Sequence, residues 1–547
     1  MRRPVLTLLL LSGLTFFLGL GRQAITDADE AFYAEAAREM VDTGDWLTPR
    51  FNYTDRWQKP VLYYWLTAAT YSVAGVSEGA ARFWSALSGL GLVLVTWAAA
   101  RGLTSGGSGG PALQARENAA WLAGAIVATC YGYFAMARMA LPDLPLTLCV
   151  TFGIWAALQR RWAIAGLAAG LGFLMKGPVA LVVPGIVLLP IWWRERRSSP
   201  IRPRDVAMAA VVFLVVAVPW YAAMTLEHGQ AYLHSFFVGD NLERFATDRF
   251  NEPRALWFYV PIVIGGMVPW AAYLVILPWR GVLDVVRRYR RMTDEEWRLA
   301  IWAFAPLLFF TISIGKQPRY ILPVLPPLAI LLARAITVRL KPDTTKTGLA
   351  VATWLTAALY AALAVLLWRA RPLFISAYPV ATTAALFVMA ASSMVLMWVA
   401  VSKSWRLLPT AAVACAAGVL LSIQFGALAG ERPEPVEEMT ALVLSHRTSG
   451  EPVGEYQAFV RNMVFYTGFK QEELFNEGRT LDFVTSPDRV LLIIREADLA
   501  RLESLARLPL KRLGQVDYLN TANLKLRTLT WPIPSQDLER VLLLSNR

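Results

Sequence analysis

The chain has 547 residues, of which 56% are hydrophobic and only 17% charged, with a net charge of +13. So little charge cannot cover the surface of a soluble protein of this size, which excludes a soluble globular enzyme. The basic excess is not a nucleic-acid footprint either. Seven short segments (1–4, 101–117, 159–161, 194–205, 280–298, 334–346 and 403–406) hold 23 Lys and Arg against 8 acids, and the remainder is close to neutral. That asymmetry is the positive-inside pattern of a membrane protein, and it puts these segments and the N terminus in the cytoplasm.

A membrane span takes about 17–25 apolar residues, and the sequence predicts about thirteen. The first, near 5–21, follows Arg2 and Arg3 and is met at once by Arg22, Asp27 and Asp29 with no small-residue cleavage site. It is expected to be a retained anchor. A long polar loop, 22–78, follows. Within it 61–75 is apolar and aromatic but short, the pattern of a helix lying on the membrane surface. After a span at 80–100 comes the Gly/Ser-rich stretch SGGSGGP. Further spans are predicted at 118–136, 143–158, 162–175, 178–193, 205–223, 256–278, 299–315, 319–335, 348–368, 378–401 and 407–428. Lys176-Gly177-Pro178 divides the two shortest of these.

An odd number of spans puts the C terminus outside. The tail, 430–547, changes composition, with strand-like runs at 489–494 and 523–530 and helix-like runs at 436–446 and 497–507. The expected fold is an α-helical polytopic membrane protein, with a membrane domain at 1–429 and a small extracytoplasmic α/β domain at 430–547. Cys130, Cys149 and Cys415 all fall in apolar segments and have no metal-ligand spacing.

Charged residues kept near membrane depth are functional candidates by default, and here they gather on the outer side. In TDADEAFYAEAAREM (26–40), Thr26 is placed to cap a helix whose first turn holds Asp27, Asp29 and Glu30. That is a sufficient reason for the acids, but Asp29 shares a face with Phe32, Tyr33 and Ala36 and is also placed to act as a general base. Lys59, in Trp57-Gln58-Lys59-Pro60, reads as a snorkelling anchor or as a phosphate ligand. Asp143, in RMALPD, either caps the following helix or belongs to a site. Lys316, Arg319 and Tyr320, in KQPRY, defy the positive-inside bias in a short outer loop, and such cations suit a phosphate. The outer loop 224–255 adds Asp240, Asn241, Glu243 and Arg244. His228 and His234 share no helical face and do not make a metal site. No P-loop, GxGxxG or nucleophile elbow is present, so the substrate is expected to come from the membrane as an activated lipid.

At these residues the sequence resembles the GT-C membrane glycosyltransferases, in the bacterial branch related to the lipid A aminoarabinose transferase and to protein O-mannosyltransferases. The matching stretches include DADEAFYAEAAREMVDTGDWLTPRFN, WQKPVLYYWLTA, RMALPDLPLTL, FLMKGPVALVVP, VPWYAAM, NLERF and GKQPRYILPVLPPLA. They occur in family order over about residues 20–335. The resemblance implies a polyprenyl-phosphate-linked sugar donor and inverting transfer to a lipid or other cell-envelope glycan acceptor, outside the bacterial inner membrane. It implies Asp29, with Glu30 beside it, and Asp143 as the catalytic acids. Lys59, Arg244, Lys316, Arg319 and Tyr320 are expected around the lipid phosphate.

Relatives often carry Glu before the Lys-Pro and His in the later loop, a pair able to hold zinc. Gln58 and Asn241 stand at those places here, and neutral amides are poor zinc ligands, so no metal or other cofactor is expected. The alternatives are a protein O-mannosyltransferase and a transporter or flippase of a lipid-linked sugar. The latter predicts internal repeats that the sequence does not show.

Overall fold

A computed structural model describes residues 3–103, 110–247, 254–277, 292–373, 379–429, 432–520 and 524–547. Each of the thirteen apolar segments falls on a helix or on a bent pair of helices. Among the described residues, six helices are long and apolar enough to cross a membrane alone, and eight spans result if each bent pair counts as one. The shorter apolar helices at Pro4–Phe17, Asp143–Leu158 and Trp162–Lys176 pack among them. The protein is thus a polytopic helical membrane protein, and its spans present Leu, Val and Trp outward where a soluble protein would present charge.

The elements that position the site follow in chain order. Helix α1 is Pro4–Ser12 and α2 is Asp29–Thr43, the latter wholly within the loop 22–78. Thr26 does not cap α2. The helix starts after Ala28 without a side-chain cap, and both the Thr26 amide and its hydroxyl donate to Glu30 Oε2 at 3.0 Å. The hairpin β1 (Arg50–Phe51) and β2 (Thr54–Asp55) leads to α3, Leu62–Ala74, a helix that matches the apolar stretch at 61–75. Helix α4 is Glu78–Gly102, opened by a Ser77 cap. After α5 (Gly110–Ala128) and α6 (Tyr131–Ala137) come α7 (Asp143–Leu158), α8 (Trp162–Lys176) and α9 (Val179–Glu195).

Lys176-Gly177-Pro178 does separate two helices. Gly177 has φ +77° and its missing Cβ would meet Phe236 at 2.7 Å, so only glycine allows this turn. Helix α10, Pro203–Leu233, is broken at Gly229 and runs on in helical turns to Ala246. The first part of the expected outer loop 224–255 is therefore helix, and that helix carries Asp240 and Arg244 back toward the spans.

The tail forms a five-stranded sheet in the order β4-β3-β5-β7-β6, from β3 (Val453–Tyr456), β4 (Glu472–Glu473), β5 (Leu491–Arg495), β6 (Lys511–Tyr518) and β7 (Glu539–Ser545). The two central strands are apolar on both faces because helices cover both. Leu491, Ile493, Val541 and Leu543 pack with Met439 and Val443 of helix Pro435–His446, and Leu492, Ile494, Leu542 and Leu544 pack with Leu502 and Val484. Burying each such side chain contributes about 1.5–3 kcal/mol, so a charge at Ile493 would open the sheet. The run at 523–530 is not a strand: Leu526–Thr530 is a short helix. The runs 436–446 and 497–507 are helical as expected.

The tail is fastened to the loop 22–78. Asn52 exchanges two hydrogen bonds with the Gln471 backbone, at 2.9 and 2.8 Å. The Ile25 amide donates to Tyr466 Oη at 2.8 Å, and the Arg461 amide donates to Asp27 Oδ1 at 2.7 Å. Arg432 and Tyr466 both bond Glu78 at the head of α4.

Candidate active site

A cavity of about 620 Å³ opens where Lys59, just before α3, and helices α7, α8, α9 and the continuation of α10 meet the residues 309–323. One end is ionic. Lys59, Lys176, Arg244 and Arg319 face it together with Asp143 and Asp240, leaving cations in excess. The rest is a greasy wall of aliphatic and aromatic side chains, among them Val179, Val182, Phe237 and Phe310. Four cations at one point and hydrocarbon beyond is the lining expected for a phosphate that carries a long apolar tail.

The ionic end is held in place by linked pairs. Asp143 starts α7, is 4% exposed, and is bonded by Lys176 Nζ from the end of α8. Arg319 reaches Asp143 Oδ2 at 3.4 Å with its Nε and bonds Asp29 with its Nη2. Asp29 of α2 and Asp143 of α7, 114 positions apart in the chain, are therefore joined through one guanidinium. Burial pushes the Asp29 carboxyl up, but the Arg319 charge and hydrogen bond, with Arg461 and Arg56 further off, outweigh it and hold the carboxyl below its usual range. Asp29 is thus a carboxylate at neutral pH.

On the other side Asp240 accepts from Arg244 Nη2 at 3.0 Å and lies 4.0 Å from Lys59 Nζ. Burial, and next the Arg244 charge, bring the Lys59 ammonium down to about 7 against the pull of Asp240. Tyr320 sits with Lys176 Nζ 4.8 Å from its ring centroid. Gly315 lets the backbone pass directly against the Arg244 carbonyl, where any Cβ would collide.

Asp143, Lys59, Arg244, Arg319 and Tyr320 line one cavity, and Asp29 borders it through Arg319. Two expected site residues are not there. Glu30 is fully buried, turned the opposite way, and paired with Arg82 of α4 at 2.7 Å. Lys316 points back to the end of helix Asp294–Ile312. Its Nζ donates to the carbonyls of Ser313 and Arg254, where a cation suits the negative helix end.

Lys176 was missed by sequence reasoning, which used it only as a boundary between spans. A lysine ending an otherwise apolar helix was the available signal. Among the described residues no group of three His, Cys, Asp or Glu is placed to hold a metal. Asn241 Nδ2 donates to the Phe236 carbonyl at 2.7 Å, and Gln58 faces a different cavity from Lys59.

Comparison with known proteins bears on this arrangement. Residues 58–222 match the family described as dolichyl-phosphate-mannose-protein mannosyltransferase. Among curated proteins, the chain is 33% identical over 341 residues to the undecaprenyl phosphate-alpha-4-amino-4-deoxy-L-arabinose arabinosyl transferase of Aeromonas salmonicida. That match covers 60% of this chain and 59% of the relative. Its counterpart in Pectobacterium carotovorum is 32% identical over 369 residues, 65% of this chain and 63% of the relative. The matches thus span about three fifths of the relatives' length. In structure, the chain is similar to ArnT from Cupriavidus metallidurans bound to undecaprenyl phosphate, with a TM-score of 0.74 and 22% identity over 99% of this chain and 98% of that one. It is also similar to the Archaeoglobus fulgidus oligosaccharyltransferase, with a TM-score of 0.55 and 12% identity over 92% and 70%. These likenesses bear out the GT-C type of fold and the resemblance to the aminoarabinose transferase-like family.

Proposed function

We propose that the protein is an inverting glycosyltransferase that moves a sugar from a polyprenyl-phosphate donor to a lipid or glycan acceptor on the outer face of a bacterial inner membrane. The observation that carries this reading is the single cavity in which four cations meet an apolar wall beside a carboxylate. The relatives named as undecaprenyl phosphate-dependent transferases support it, as does the solved relative with undecaprenyl phosphate bound. In the same reading residues 1–429 are the membrane catalytic domain and 430–547 an extracytoplasmic domain. The acceptor is a lipid or another envelope glycan. The protein mannosyltransferase description of residues 58–222 favours a protein acceptor as the second reading.

The same reading gives the steps. The donor phosphate lies among Lys59, Arg244 and Arg319, with its prenyl chain along Val179, Val182 and Phe237. The acceptor hydroxyl attacks the anomeric carbon from the side opposite the phosphate, which inverts the centre. The bond from that carbon to the phosphate oxygen breaks and its electron pair stays on the phosphate. The cations stabilise the charge that grows there. Asp29 receives the hydroxyl proton, and Asp143 keeps Lys176 and Arg319 oriented.

The test is mass spectrometry of lipids, glycans and proteins from a deletion strain, complemented with wild type and with Asp29→Asn. A molecule lacking one sugar in the deletion strain, restored only by wild type, is the expected outcome. Unchanged lipid, glycan and protein fractions would overturn the assignment.

A further inference from the structure

A second cavity, about 500 Å³, lies between the first outer loop and the tail. Its walls come from both: Asp27, Phe32, Asp55, Arg56 and Gln58 on one side, Arg461, Glu473 and Phe475 on the other. It comes close to the site: Asp27 and Phe32, on either side of Asp29 in the chain, both line it. Phe32, one turn further along α2, is covered by the Arg56 guanidinium at 3.9 Å and the Arg461 guanidinium at 5.2 Å. Arg319 ties Asp29 to the first cavity, and Arg56 and Arg461 face it from the second. Asp29 is therefore linked to charged residues that line each of the two cavities.

The second chamber has the chemistry of an unfilled polar site. Gln58 Oε1 and Arg56 Nε are buried and make no hydrogen bond. Buried polar atoms of this kind are rare unless something else satisfies them. Asp27, Asp55 and Glu473 outnumber the two guanidinia, so a phosphate would meet more negative than positive charge. Carboxylates and an amide accept hydrogen bonds from hydroxyls, and Phe475, 68% exposed at the rim, offers a bare ring face.

We propose that this second cavity receives the acceptor as a neutral, hydroxyl-rich saccharide, held by Gln58, Asp55 and Glu473 against the Phe475 ring, with one hydroxyl directed at Asp29. The inference rests on the glycosyltransferase reading and adds to it the class of the acceptor. In the transfer the saccharide oxygen bonds to the anomeric carbon of the donor sugar. The carbon–phosphate-oxygen bond breaks, the phosphate leaves with the electron pair, and the hydroxyl proton passes to Asp29. The product is a glycosidic bond, not a glycosyl phosphate. Because the tail supplies half of the walls, the acceptor site exists only while the tail is docked.

The experiment uses the full chain in detergent, with methyl glycosides of glucose, galactose, mannose and N-acetylglucosamine as probes in saturation-transfer NMR and inorganic phosphate as competitor. Binding of undecaprenyl phosphate is measured on the same samples. At least one glycoside should receive saturation, and millimolar phosphate should not displace it. Phe475→Ala and Gln58→Ala should each weaken it about fivefold, the loss of one good contact. Lys59→Ala should leave glycoside binding intact while weakening the prenyl phosphate. Circular dichroism on heating controls for folding, and exposed Phe475 is outside the core. No glycoside binding, displacement by phosphate, or indifference to both substitutions overturns the inference. Loss of prenyl-phosphate binding by wild type would instead strike the donor reading.

Discussion

Asp29 and Glu30 are neighbours on one helix, and replacing each should fail in a different way. Glu30 accepts five hydrogen bonds: from the Thr26 amide and hydroxyl, from Arg82 Nε and Nη2, and from the Ala140 amide. Arg82 is 1% exposed and also donates to the carbonyls of Leu20, Gln23 and Ala24. The pair ties the start of the outer loop to α4 and to the turn before α7. Glu30→Ala removes the carboxylate bonded to the buried Arg82 and leaves it only the weaker pull of Glu78, a change that costs about 3–5 kcal/mol. The orphaned Thr26 and Ala140 amides put the expected loss at the upper end of that range. Against a typical total of about 5–15 kcal/mol this is severe.

The assay is thermal unfolding of purified variants in detergent, read together with prenyl-phosphate binding and turnover. Glu30→Ala should lower the midpoint and the yield, with activity falling only in step with folded protein. The pH dependence has a definite sign. Burial pushes the Glu30 carboxyl up, but Arg82 outweighs it and holds the carboxyl below its ordinary value of 4.5. The stabilisation is therefore present above pH 4.5 and is lost as pH falls through the lower folded value. A Glu30→Ala protein as stable as wild type but without turnover would refute this reasoning and return Glu30 to the chemistry.

Three further outcomes are expected. Asp29→Asn should keep the fold and prenyl-phosphate binding while turnover falls by on the order of 100-fold, since Asn accepts no proton; near-normal turnover in a single-turnover assay would exclude Asp29 as the base. Lys59 titrates near pH 7 in the free protein, so at pH 8 it is mostly neutral, and binding a phosphate should draw a proton onto it. Calorimetry in buffers of different ionisation heat should show that uptake, and Lys59→Met should abolish it. A reporter fused to the C terminus should be active only if it works outside the cytoplasm; activity of a cytoplasm-only reporter would overturn the orientation of both chambers.

The apolar helices were legible because hydropathy is a one-dimensional signal. The short helix at 61–75 was equally plain from its apolar, aromatic composition. The tail was harder. The apolar run in Glu539–Ser545 reads as helix or strand until the helices on both faces of the sheet are seen. The alternating run at 523–530 suggested a strand, yet Leu526–Thr530 has no strand beside it and coils into a helix. Within the site, the sequence brought out the charged residues but not their partners. The helical face that Asp29 shares with Phe32 and Tyr33 sets it apart from Glu30 only weakly. The difference is made by Arg82, 52 positions away, and by Arg319, 290 positions away. Lys316 looked like a phosphate ligand for the same reason as Arg319, and only the helix end beside it shows its different use.

Gln58 and Lys59 are consecutive in the chain, yet one faces the second cavity and the other the first. On the reading proposed above, a single peptide unit addresses two substrates at once. Mutation at one of these positions can alter the choice of acceptor while the grip on the prenyl carrier stays as it was. Lineages that share a carrier can thus diverge in what they decorate through small changes on one side of this dipeptide, with no rebuilding of the membrane core.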